Sequence, residues 1–140
     1  MSALYTASAT ATGDGRNGHI RSSDGVLDFD LAVPKEMGGA GGEHSNPEQL
    51  FAAGYAACFH GALKLVARAQ KITLTDTAIT VDVTINPKTD GPGFVLGATI
   101  EAEIPGVDQA KARELLEAAH QVCPYSNATR GNIEVNLTVA

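Results

Sequence analysis

Between Leu50 and Leu63 the chain carries no Asp, Glu, Lys or Arg, and at helical spacing the segment is apolar almost all the way round. Just upstream, Asn46-Pro47-Glu48-Gln49 supplies a capping side chain, a proline suited to the first helical position and a glutamine at capping-box spacing. A helix is therefore predicted from here to about Gln70. A helix of this kind is either a membrane span or one enclosed by protein. Lys64 and Arg68 interrupt the apolar run, and much of it is Ala and Gly, which favours enclosure. With 140 residues, one domain with one core is expected over 1–140. A single sheet covers only one side of such a helix, and the other side needs a partner. The pattern thus predicts a homodimer in which the long helices of two chains lie together.

Residues 3–11 alternate loosely and read as a first strand. Leu27, Phe29 and Leu31, with Asp28 and Asp30 between them, read as a half-buried strand. The segment Gly13 to Gly18 is turn material, so the first two or three strands form hairpins. Gly38 to Gly42 is a loop with almost no side chains to anchor it. Ile79, Val81, Val83 and Ile85, then Leu96, Ala98, Ile100, Ala102 and Ile104, mark two alternating strands joined by a turn rich in Pro and Gly. A second helix spans roughly Asp108 to Val122, with Ala112, Leu115, Leu116, Ala119 and Val122 on one stripe. Pro124 restarts the chain after Cys123, and Ile133, Val135, Leu137 and Val139 form a last strand. The order βββ–α–ββ–α–β predicts an α+β fold rather than a parallel α/β sheet.

Several functions are disfavoured. A formal net charge of −6 argues against nucleic acid and anionic membranes as partners. The start Met1-Ser2-Ala3-Leu4-Tyr5-Thr6 lacks the basic and apolar stretches of a signal peptide, so a cytoplasmic location is expected. The glycosylation patterns at Asn127 and Asn136 mean little without secretion. His19, His44 and His120 are scattered without metal spacing, and no metal site is expected. Gly13-Asp14-Gly15-Arg16-Asn17-Gly18 matches the dinucleotide fingerprint, but strand-like sequence follows where that motif requires a helix. It reads as a glycine-rich hairpin that displays Arg16.

Cys58 and Cys123 are the only cysteines. Two do not make a disulfide framework, and in a reducing compartment they fit a working pair better than a staple. For Cys58 two readings stand side by side: a small core hydrophobe, or a reactive thiol in an electropositive niche. His60 faces about 160° away around the helix and is a poor base for it. Cys123, at a helix end, also admits a structural reading. A disulfide between them would stabilise the fold by about 4 kcal/mol in the chain-entropy model.

The stretches Asn46-Pro-Glu-Gln-Leu-Phe-Ala-Ala-Gly-Tyr-Ala-Ala-Cys58-Phe59 and Cys123-Pro-Tyr-Ser-Asn-Ala-Thr-Arg-Gly-Asn132 resemble the two signature blocks of the organic hydroperoxide resistance proteins. These are thiol peroxidases of the Ohr/OsmC superfamily. The segment from Tyr5 to Gly13, Gly15-Arg16 and Gly38 to Gly42 match as well, so the similarity covers essentially the whole chain. The resemblance implies an OsmC-like fold, with two antiparallel-rich sheets wrapped around central helices in an intertwined homodimer. It implies that Cys58 is the peroxidatic thiol and Cys123 the resolving one, that Arg16 touches the Cys58 sulfur, and that Glu48 holds Arg16. It also implies organic and fatty-acid hydroperoxides as substrates. The reductant would be an external dihydrolipoyl group, from a lipoylated protein or dihydrolipoamide, and no cofactor would be bound.

These residue types suit that chemistry. An unperturbed cysteine is only about 3% thiolate at pH 7, so full ionisation gains at most roughly thirtyfold. Any larger acceleration must come from stabilising charge as the O–O bond breaks, which a guanidinium fork reaching both sulfur and oxygen can do. Glu48 opposes ionisation by its charge and is assigned orientation. Glu48 and Cys58 lie about 15 Å apart along a continuous helix. The site is therefore expected to be completed across the dimer or through a kink near Gly54. An apolar lining from Leu50, Phe51, Phe59 and the loop beginning at Met37 would favour alkyl hydroperoxides over hydrogen peroxide. Two other readings remain at this level: a lipid or small-ligand binding module of the same fold with inert cysteines, and a redox sensor that passes oxidation to a partner protein.

Overall fold

The computed structural model describes residues 2–140. The chain divides into two compact units, one ending at Leu50 and the other Phe51–Ala140. In the first, β1 (Ala9–Thr12), β2 (His19–Ser22) and β3 (Asp28–Asp30) form an antiparallel sheet in that order. The first strand is shorter than its alternation over 3–11 predicts. Its partner β2 ends at Ser22, opposite Ala9, where the chain turns back and the Ser22 N–H donates to Leu27 O at 2.8 Å. Leu4 and Tyr5, lying before the paired stretch, are exposed.

The β1–β2 turn contains a short 3₁₀ segment, Gly15–Asn17, that carries Arg16 outward. Gly18 closes this turn and has no room for a side chain: a β-carbon there would stand 2.2 Å from Thr12 O. The fingerprint glycines thus serve a hairpin, with a strand following as expected. In β3 the alternation is correct but the burial is not. Leu31 is buried, whereas Leu27 and Phe29 are exposed, because that face is open in the single chain.

The helix α1 (Pro47–Ala69) starts where the capping signal puts it, with Asn46 Oδ1 accepting the Gln49 N–H at 2.9 Å. By length and composition it could cross a bilayer. One face instead lies in the core of the second unit, through Tyr55, Phe59, Ala62, Leu63 and Ala67. The opposite stripe, Ala53, Ala57, Gly61 and Leu65, is exposed in the single chain. Enclosure within one chain is therefore one-sided, as expected for a helix facing a single sheet.

The second sheet is built from β4 (Ala78–Pro87), β5 (Phe94–Glu103) and β6 (Val135–Val139), in that order. β4 and β5 pair antiparallel, with Val81 opposite Ile100, and β6 runs parallel to β5, with Leu137 opposite Ile100. Between β5 and β6 come α2 (Gln109–Val122) and α3 (Pro124–Thr129). Asp108 caps α2, accepting the Lys111 N–H at 2.9 Å. Ala112, Leu115, Leu116 and Ala119 enter the core, but Val122, expected on the same stripe, is 44% exposed. Burial of each large apolar side chain in this cluster contributes about 1.5–3 kcal/mol. The class is α+β, as predicted. The six-residue α3 is an addition: Pro124 ends α2 and also opens a new helix at its first position.

Candidate active site

Two side-chain pairs stand out, one in each unit. In the second unit, Cys58 sits half-buried in the middle of α1 and Cys123 is fully buried at the junction of α2 and α3. Cys123 closes one helix and opens the next. Its N–H donates to Ala119 O, and its extended backbone (φ −65°, ψ 123°) is the conformation that a following proline favours. This bend aims the sulfur at α1, and the Cys123 thiol donates to Cys58 Sγ at 3.5 Å. A disulfide needs about 2.05 Å between sulfurs, so the two stand one small movement from bonding.

Around them α1 and α3 are fastened together. Tyr55 Oη lies 2.8 Å from Ser126 Oγ and 3.1 Å from Thr129 Oγ1, and all three residues are buried. The Tyr125 ring packs at 6.1 Å from Phe51 and 5.7 Å from Tyr55, centroid to centroid. It also covers Gly54, where a β-carbon would come within 2.8 Å of its Oη. Gly54 therefore serves as a seat for an aromatic ring. The helix runs on through it unbroken. None of Tyr55, Tyr125, Ser126 and Thr129 emerges as a site residue from the sequence. The available signal was a tyrosine three positions before Cys58, with two hydroxyl residues spaced by three after Cys123.

Burial pushes the Cys58 thiol above its ordinary range, and the neighbouring Cys123, whose charge would add to its own, pushes the same way. A hydrogen bond from the Tyr125 backbone N–H opposes both. Within this pocket the thiol form of Cys58 is favoured over the thiolate.

In the first unit Arg16 and Glu48 form a two-pronged ion pair, Nη1 to Oε2 and Nη2 to Oε1, both at 2.9 Å. Hydrogen bonding from Arg16 holds the Glu48 carboxyl below its usual range, and the same bond raises the guanidinium. The pairing of Glu48 with Arg16 is as the resemblance implies. In the single chain the Arg16 side chain is 41% exposed and that of Glu48 16%.

Of the expected lining residues, Phe51 is half-buried beside the aromatic cluster, Leu50 is half-buried near the start of α1, and Met37 is exposed at the end of a 3₁₀ turn. Phe59 is fully buried in the core and offers no surface to a ligand in the single chain. His60 bonds Thr77 Oγ1 at 2.8 Å. Among the described residues no group of three or more His, Cys, Asp or Glu is placed to hold a metal ion.

Residues 39–138 match the family model described as OsmC-like protein. The organic hydroperoxide resistance protein of Xanthomonas axonopodis pv. citri is 53% identical over 137 residues, covering 98% of this chain and 95% of that protein. Crystal structures agree at the level of the backbone. The organic hydroperoxide resistance protein of Elizabethkingia anophelis matches with a TM-score of 0.93 and 55% identity over 100% of this chain and 99% of its own. OhrB of Bacillus subtilis matches with a TM-score of 0.90 and 49% identity over 99% of this chain and 100% of its own. With this fold and identity along nearly its full length, the chain belongs to the OsmC-like family, among its organic hydroperoxide resistance proteins.

Proposed function

We propose that this protein is a thiol-dependent peroxidase that reduces organic hydroperoxides to alcohols. The observation that carries the reading is the pair of free thiols 3.5 Å apart, one half-exposed and one buried. The Cys58 thiolate attacks the distal oxygen of ROOH. The O–O bond breaks, the alkoxide takes a proton and leaves as ROH, and Cys58 becomes a sulfenic acid, oxidised by two electrons. Cys123 then attacks the Cys58 sulfur. An S–S bond forms, the S–O bond breaks, and hydroxide leaves as water with the Cys123 proton. A dihydrolipoyl dithiol, from dihydrolipoamide or a lipoylated protein, exchanges with the disulfide and restores both thiols while becoming a cyclic disulfide itself.

Arg16 is the cation that the first step requires. The pocket alone favours the Cys58 thiol over its thiolate, so ionisation depends on a positive charge brought against the sulfur. The same guanidinium then stabilises negative charge on the breaking peroxide. Glu48 orients it through both oxygens. Leu50, Phe51 and Met37 supply apolar contact for the alkyl or fatty-acid chain, each buried methylene contributing about 0.8 kcal/mol. The working form is a homodimer, a reading supported by the exposed Ala53, Ala57, Gly61 and Leu65 stripe of α1. Such a cycle belongs in the cytoplasm, where thiols are kept reduced.

The test is a peroxide titration. One equivalent of an alkyl hydroperoxide should remove both thiols as an internal Cys58–Cys123 disulfide, and dihydrolipoamide should then support turnover. Cys58→Ser should abolish turnover, while Cys123→Ser should consume about one equivalent and stall. Unchanged thiols after peroxide would leave a ligand-binding module. Oxidation without turnover on dihydrolipoamide would leave a sensor.

A further inference from the structure

Tyr55 lies three residues before Cys58 on α1, and Ser126 and Thr129 lie three and six residues after Cys123 on α3. Their hydroxyls form one closed circuit. Thr129 Oγ1 donates to Ser126 O at 3.2 Å, which uses its only proton. Tyr55 Oη therefore donates to Thr129 Oγ1 at 3.1 Å, and Ser126 Oγ donates to Tyr55 Oη at 2.8 Å. Every hydroxyl proton in this buried trio has one acceptor, so the arrangement has a single direction. It joins the two helices that carry the two sulfurs, within one turn of each sulfur.

A helix of six residues has too few internal bonds to hold its own position. α3 is seated from outside, by this circuit and by Tyr125 resting on Gly54. The bend at Cys123 is set by where α3 lies, because Cys123 is the cap of both helices. We propose that Tyr55 is a positioning residue for the second step of the cycle: its hydroxyl docks α3 on α1 and so keeps Cys123 within reach of the Cys58 sulfenic acid. This rests on the peroxidase reading above. The plainer alternative is a tyrosine that merely satisfies its hydroxyl in the core, and step-resolved kinetics separates the two.

Reduced protein is mixed rapidly with excess cumene hydroperoxide in the absence of any dithiol, quenched at intervals, and the Cys58 products are resolved by mass. In Tyr55→Phe, loss of the Cys58 thiol should stay within about twofold of the parent, since neither peroxide nor Arg16 is touched. Disulfide formation should slow about tenfold, from a less populated docked α3 whose Ser126 hydroxyl has lost its acceptor. Cys58 sulfinic acid should rise in step, because the waiting sulfenic acid meets a second peroxide. Thr129→Val, cut on the opposite helix, should shift the product ratio in the same direction. Disulfide formation at the parent rate in both variants overturns the proposal, and so does equal slowing of both steps, which marks a general loosening. If the parent itself forms no Cys58–Cys123 disulfide, the peroxidase reading fails first and this role falls with it.

Discussion

Replacing Gly54 by Ala tests whether the Tyr125 ring must lie on α1 for Cys58 to react. A β-carbon at this position would stand 2.8 Å from Tyr125 Oη and 3.3 Å from both Cε2 and Cζ, so the ring has to move by several tenths of an ångström. Two terms set the stability. Alanine in a helix interior is favoured over glycine by about 1 kcal/mol. Against this, the displaced ring weakens its contacts with Phe51 and Tyr55, each worth about 0.5–1.5 kcal/mol beyond area. Tyr125 is 39% exposed and swings toward solvent, so little further burial is lost. The opposed terms leave a net destabilisation of about 0–2 kcal/mol. Reactivity should change more. The Tyr125 backbone N–H is the one group that favours the Cys58 thiolate within this pocket. A hydrogen bond to a charged acceptor is worth about 1.5–3 kcal/mol, so tilting it away should slow alkylation of Cys58 by iodoacetamide at neutral pH roughly tenfold. The assay is the pH profile of alkylation in a Cys123→Ser background, beside urea unfolding of the same proteins. A profile identical to the Gly54 parent, or a stability loss above about 3 kcal/mol, would refute the reasoning.

Arg16→Lys should change stability by less than about 1 kcal/mol, because the ion pair is partly exposed. Its peroxide reduction should fall by more than roughly thirtyfold, the ceiling that ionisation alone can explain. A smaller loss that vanishes at high pH would limit Arg16 to lowering the thiol pKa. His19 bonds Asp30 at 2.7 Å and Asp28 at 2.5 Å through its two ring nitrogens, an arrangement that favours the protonated ring, which can donate to both carboxylates. Hydrogen bonds to Asp30 first and Asp28 second hold His19 above its ordinary range, and His19 in turn holds Asp30 below its own. The contribution is present between the unfolded carboxylate and imidazole values, about pH 4 to 6.5. It is lost as pH rises through the raised His19 value or falls through the lowered Asp30 value. His19→Asn should therefore flatten the decline in urea midpoint between pH 6 and 9, and an unchanged slope would count against the pair. Oxidation to the disulfide should raise unfolding free energy by about 4 kcal/mol, as urea unfolding with and without dithiothreitol would show. A lower midpoint for the oxidised form would mean that strain outweighs loop closure.

The elements that were legible in the sequence are those whose signals are local. Asn46, Pro47 and Gln49 located the start of α1, and the alternating Val81, Val83, Ala98 and Ile100 located β4 and β5 and their shared face. Arg16 with Glu48, and Cys58 with Cys123, stand out in the sequence through the family resemblance and lie together in pairs. What failed depends on who stands opposite. Leu27, Phe29 and Val122 follow the apolar period and yet are open in the single chain. α3 was missed because a proline after a helix reads equally as a stop and as a new first residue. Tyr55 was hidden for a related reason. Inside an apolar run a tyrosine counts as core, and its hydroxyl acquires meaning only once Ser126 and Thr129, more than 70 residues on, are brought to it.

The two thiols also show why half-burial of one and full burial of the other suits a two-step cycle. Two thiolates 3.5 Å apart would repel strongly, and in the proposed cycle the sulfur that ionises and meets substrate is the half-buried Cys58. The Cys123 thiol donates its proton in a hydrogen bond to Cys58 Sγ. In the proposed cycle that proton is idle during attack on the peroxide and is needed in the next step, where hydroxide must leave the sulfenic acid. The sulfenic acid oxygen beside it is an acceptor that takes the proton as the S–S bond forms. In that cycle Cys123 acts only when there is a sulfenic acid to resolve, and its full burial keeps it from peroxide that has not yet met Cys58. An exposed Cys123 would be oxidised independently, and the pair would then hold two sulfenic acids with no thiol left to close the bond.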